Sequence, residues 1–203
     1  MSEFKKMIDG KIYDPLDPNV LEKRSLAHDR CAEFNSLRET DARREEIIKE
    51  FWPNSKNLYL QGPIYFDYMC NTSFGDYCYA NFNFTVLDCA PVTIGNNVFF
   101  GPNVAIYTPV HPFLPSERNL YKNEKGIYTD REYAKPITIE DDCWICGNVT
   151  IVGGVKIGKG TIIGAGSVVT KDIPSGVIAA GNPCKVIRKI TENDSIYLKK
   201  HLF

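Results

Sequence analysis

Histidine is scarce in this chain. Three occur in 203 residues, at positions 28, 111 and 201, and only His111 lies in the patterned region that fills most of the sequence. A metal-dependent hydratase would need several imidazole ligands from one scaffold, so that class is nearly excluded and no metal is expected. An excess of charge of one sign is also missing. Lys plus Arg number 24 and Asp plus Glu 25, a formal net charge of −1. A nucleic-acid binder usually shows a basic stripe, so no nucleic-acid partner is expected. Long apolar runs are absent. Met7 and Ile8 are followed at once by Asp9, leaving nothing to act as a signal peptide or membrane span. No membrane partner is expected, and a cytoplasmic location is. The seven cysteines (31, 70, 78, 89, 143, 146 and 184) are odd in number and lack the rhythm of a secreted disulfide scaffold. Cys143 and Cys146 have the spacing of a redox or zinc motif, but no second pair and no histidine accompany them.

What is present falls into three textures. Residues 1–57 read as a helical segment. Ala27, Cys31 and Phe34 share one helix face, Thr40 is a plausible N-cap with Asp41 in the first turn, and Ile47, Ile48 and Phe51 form an apolar stripe that Pro53 ends. Residues 58–188 read as the main domain, interrupted by a loop at 111–136, and residues 189–203 as a tail.

The main domain carries an internal repeat. Ile139, Ile145, Ile151, Ile157, Ile163 and Val169 are spaced by six without a break, and four residues after each come Cys143, Val149, Val155, Thr161, Ser167 and Ile173. Ile94, Phe100 and Ile106 repeat the pattern, with Val98, Val104 and Val110 at the same offset. Phe74, Ala80, Val86 and Val92 form a first run, which passes to Ile94 by a shift of two that keeps the inward face of a strand. A helix would place residues six apart about 240° around its axis, so no helical stripe gives this pattern. Period six signals a mainly β fold, a parallel β-helix in which each hexapeptide is one short strand and a turn. The repeat breaks once, between Val110 and Ile137, at a polar segment that begins with His111 and includes Glu117, Arg118, Lys122, Glu124, Lys125, Asp130, Arg131 and Glu132. A loop this long inside a solenoid is usually functional or disordered.

Several segments resemble the maltose and galactoside acetyltransferases of the hexapeptide-repeat acyltransferase superfamily. They are Gly10–Tyr13, Glu22–Arg24, Tyr79–Asn83, Thr108–Pro112, Ile163–Pro174 and Ala180–Arg188. Two departures stand out, in the residues after His111 and in Glu140-Asp141-Asp142, where a glycine-containing turn is usual. The resemblance implies a left-handed β-helix, a homotrimer with sites between neighbours, and acetyl transfer from acetyl-CoA to a sugar hydroxyl. His111 would be the general base of a direct attack within a ternary complex, an imidazole being suited to take a hydroxyl proton near neutral pH. Asn81, Tyr79, Asp88, Asp67, Asp14 and Asp17 would bind the acceptor. Trp144, Gly147, Ala165, Thr170, Lys171, Lys185 and Arg188 would hold coenzyme A. No cysteine is needed as a nucleophile, because the thioester is already activated. Rival readings keep the fold but acetylate an antibiotic hydroxyl or a sugar amine, or take the β-helix as non-catalytic.

Overall fold

Ile139, Ile145, Ile151, Ile157, Ile163 and Val169 all point into one apolar interior, as the period of six requires. The computed structural model describes residues 1–124 and 126–202, so Lys125 of the charged segment and Phe203 of the tail lie outside the described residues. Strands of successive coils stack in parallel and in register, Ile139 against Ile157 and Phe74 against Ile94. The coils form a prism with three faces, visited in a fixed order. The first face holds Tyr59–Leu60, Tyr79–Ala80, Phe99–Phe100, Trp144–Ile145, Ile162–Ile163 and Val177–Ala180, closed by the antiparallel strand Lys185–Lys189. The second holds Ile64–Phe66, Phe84–Leu87, Ala105–Tyr107, Thr150–Val152 and Val168–Val169. The third holds Thr72–Phe74, Val92–Ile94, Ile137–Ile139 and Lys156–Ile157. The solenoid is a left-handed β-helix. It begins one coil before the periodic run identified from Phe74, because Leu60, Phe66 and Thr72 already occupy inward positions. Val92 and Ile94 are both buried, so the two-residue shift keeps the inward face. Val110 departs from expectation. It leaves the prism half-buried and pairs with Tyr133, while Thr108 takes the buried place.

The corners explain the unusual turn at Glu140-Asp141-Asp142. Asn97, Asp142 and Gly160 stand in successive coils with φ of 54°, 61° and 67°, the left-handed region that Asn and Asp tolerate. Asn97 Nδ2 donates to Asp142 Oδ1 at 3.0 Å, and Lys159 Nζ lies 3.3 Å from Asp142 Oδ2. A parallel ladder runs from Asn83 to Asn103 to Asn148, with bonds of 2.9 and 3.1 Å. Side-chain hydrogen bonds between coils thus do at these corners what glycine does by having no Cβ.

An open β-helix end would leave strand carbonyls bare. The helices α1 (Glu3–Ile8), α2 (Pro18–Ser36) and α3 (Ala42–Phe51) precede the first coil, and donors from the α2–α3 region satisfy one strand on each face. Arg44 donates to Leu60 O at 3.1 Å and to Gln61 O, Asn35 Nδ2 to Ile64 O at 2.8 Å, and Trp52 Nε1 to Thr72 O at 2.7 Å. Asp41, not Thr40, caps α3, its carboxylate accepting from Arg43 N. Among the described residues no helix is long and apolar enough to cross a membrane.

Candidate active site

His111 follows the second-face strand Ala105–Tyr107, at the corner where the chain would turn onto the third face. That corner is the prism edge opposite the first face. The histidine side chain is half exposed, and its Nδ1 lies 3.8 Å from Asp130 Oδ2. Val110 and Pro109 pair antiparallel with Tyr133 and Ala134, so both ends of the inserted loop are tied together beside the ring. The amino-terminal segment clamps the returning strand. Tyr13 N donates to Glu132 O at 3.0 Å, Tyr13 OH to Glu132 Oε2 at 2.7 Å, and Thr129 Oγ1 to Asp14 Oδ1 at 2.6 Å. Burial raises the Glu132 carboxyl, opposed by the hydrogen bond from the Tyr13 hydroxyl and by the nearby His111. Close by, Cys89 Sγ sits 3.7 Å from Asp67 Oδ2, and Asp67 Oδ1 lies 3.5 Å from His28 Nε2. Asp67 and His28, with Tyr65, Asn35 and Leu87, line a recess of about 370 Å³ between α2 and the second face. Burial pushes the Cys89 thiol up, so it is no thiolate nucleophile.

A second group forms on the first face. Tyr79, Asn81, Phe99, Gly101 and Trp144 line an open groove of about 440 Å³. Tyr59 and Tyr79 stack at 5.9 Å and Phe99 lies 6.4 Å beyond, an aromatic ladder in register with the exposed indole of Trp144. Gly101 is required here, since a Cβ would come within 2.5 Å of Gly147 N in the next coil. Gly147 and Ala165 follow at the same corner, Ala165 exposed. Lys185 and Arg188 lie on the closing strand of this face, both exposed.

The residues expected to form one site are therefore divided. Asn81, Tyr79, Trp144, Gly147, Ala165, Lys185 and Arg188 belong to the first face or its border. Thr170 and Lys171 follow Val168–Val169 and so share the edge of His111, not the face of Trp144. Asp88 is corrected outright: it is fully buried, accepting from Tyr68 N at 2.8 Å and Thr72 Oγ1 at 2.9 Å, and no sugar reaches it. Burial raises its carboxyl from 3.8 to about 6 despite those bonds. Asp17 is the N-cap of α2, accepting from Asn19 N at 3.1 Å. Asp14 is taken up by Thr129 and by Leu16 N. The Arg188 guanidinium makes a bidentate pair with Asp194, at 2.7 and 2.8 Å, where a free charge for a phosphate was expected. Asp130, Glu132, Tyr13 and His28 were not singled out from the sequence; only the place of the two acids in the loop after His111 pointed towards them. All seven cysteines are free, and Cys143 turns inward to donate to Gly158 O, away from any pairing with Cys146.

Comparison with known proteins identifies the family. The model for the maltose acetyltransferase hexapeptide capping motif matches residues 6–51, the helices that close the first coil. Models for the bacterial transferase hexapeptide and the hexapeptide repeat of succinyl-transferase match residues 136–171 and 91–111. The galactoside O-acetyltransferase of Escherichia coli K12 is 40% identical over 193 residues, covering 94% of this chain and 91% of its own. The crystal structure of a maltose O-acetyltransferase from Clostridium difficile 630 superposes with a TM-score of 0.87 at 39% identity, covering 95% of this chain and 99% of that one. A galactoside acetyltransferase in complex with coenzyme A superposes with a TM-score of 0.85 at 38% identity, covering 96% and 94%. With relatives this similar along nearly the whole chain, the protein belongs to the maltose and galactoside type of hexapeptide-repeat, acetyl-CoA-dependent O-acetyltransferases.

Proposed function

We propose that the protein transfers acetyl from acetyl-CoA to a hydroxyl of a maltose-, glucose- or galactoside-like sugar, in a homotrimer whose sites lie between neighbouring chains. His111 takes the hydroxyl proton as the oxygen attacks the thioester carbonyl, and the thiolate of coenzyme A leaves with that proton. No acyl-enzyme is formed, in keeping with the protonated, buried Cys89. The observation that carries this reading is the division of the site. One prism presents His111 on an edge and the Asn81–Trp144 groove on the face opposite, an arrangement that a neighbouring copy in a trimer would complete. The names of the relatives supply the acceptor class; Asp67 and His28, set in an otherwise mainly apolar recess, offer partners for sugar hydroxyls.

Mixed assembly tests this. Take His111→Ala as one variant and Asn81→Ala with Trp144→Ala as another, each nearly inactive alone. Unfolded and refolded together, a cyclic trimer leaves about a quarter of the sites with both halves intact. Turnover of the mixture rises towards roughly a quarter of the unmodified protein's. Mixed trimers that stay as inactive as their parents would place both halves of the site in one chain.

A further inference from the structure

We propose that Asp130 is the positioning residue of His111: its carboxylate holds the Nδ1–H of the ring and leaves Nε2 free for the acceptor's proton. The inference rests on the reading of His111 as base. Nδ1 and Oδ2 are 3.8 Å apart, and three features make that approach a built one. First, the segment carrying Asp130 is pinned on both sides, by Thr129 to Asp14 and by Glu132 to both the amide and the hydroxyl of Tyr13. Second, Tyr133 pairs with Val110, the residue before the histidine, so acid and base hang from one two-stranded ladder. Third, the neighbouring cation is turned elsewhere, Arg131 lying over the Tyr121 ring at 3.9 Å. Among the described residues, no Lys or Arg comes within ion-pair distance of Asp130, whose only such partner is His111.

The chemistry gives this arrangement a task. Neutral imidazole carries one proton, and whichever nitrogen finds an acceptor keeps it. An ionised carboxylate only accepts, so at Nδ1 it selects the tautomer with a lone pair on Nε2. Once Nε2 has taken the hydroxyl proton, the same carboxylate stabilises the imidazolium until the departing thiolate removes that proton. Glu132 lies close enough to act on the ring electrostatically, but its carboxylate accepts from Tyr13, and the ion pair of His111 among the described residues is with Asp130. That leaves Asp130 for Nδ1. The present separation exceeds a hydrogen bond and shortens when acceptor and coenzyme fill the site, as such contacts commonly do.

The test uses the full chain with acetyl-CoA and maltose or a galactoside, following kcat, KM and the pH profile. Asp130→Asn is expected to lower kcat roughly 10-fold or more with KM for acetyl-CoA little changed. With one negative charge lost, the acid limb of kcat/KM moves to lower pH by roughly half a unit or more. Asp130→Glu restores part of both. Wild-type kcat and an unmoved acid limb in Asp130→Asn, with His111→Ala inactive, would overturn this inference alone. A fall in kcat with an unmoved limb and no rescue by Glu would also overturn it, marking only a disturbed loop. If His111→Ala itself keeps turning over, the base assignment fails first and this inference with it.

Discussion

His111→Ala is expected to lower kcat by roughly 10²-fold or more while leaving the melting temperature nearly unchanged. An alcohol is a poor nucleophile at neutral pH, and general-base removal of its proton is worth typically ~10²–10⁴-fold. The ring is half exposed at the start of an inserted loop and fills no part of the prism interior, so truncation opens no cavity in the core. Steady-state kinetics beside a thermal melt separates the two quantities. Turnover near that of the unmodified protein would remove His111 from the chemistry.

The second large effect concerns the core. Ile151 is fully buried, paired with Ile106 below and Val169 above. Ile151→Asp sets a carboxylate into this stack with no cation or donor in reach. Such burial costs several kcal/mol, about the size of the whole stability margin of ~5–15 kcal/mol for a folded domain. The variant should fail to fold or assemble. Thr150→Asp, one residue away at a partly buried, outward-pointing position, is the control and should cost less than about 1 kcal/mol. Melting curves decide the matter: a cooperatively melting, soluble Ile151→Asp protein would mean that the six-residue register is wrong.

That register was the most legible part of the sequence, because each hexapeptide repeats the same burial problem. The first coil was harder to read. Leu60, Phe66 and Thr72 keep the spacing, but three members ending in a threonine do not announce a repeat. The burial of Asp88 was open to a reading by parity, since it stands two residues after the inward Val86. The resemblance pointed instead to a sugar contact, and the donors that offset its desolvation, Tyr68 N and Thr72 Oγ1, lie 16 to 20 residues away in another coil. The loop was legible only as an interruption. The clamp on it comes from Tyr13 and Asp14, more than 100 positions earlier, and no local pattern encodes contacts of that reach. Charged residues in that loop therefore looked alike, and only folding singles out Asp130. The division of the site between face and edge is likewise a property of how three faces close, invisible in a list of motifs.

Acceptor-dependent release of coenzyme A tests the central claim most directly. The purified protein is given acetyl-CoA with maltose, glucose or a galactoside, and separately with an amino sugar, an antibiotic alcohol or no acceptor. Free thiol is followed as it forms, and the product is identified by mass and by lability to mild alkali. The account predicts thiol release that depends on the sugar, and a product bearing an alkali-labile O-acetyl ester. A folded protein that acetylates the amine or the antibiotic in preference, or that releases no thiol with any sugar, would contradict it.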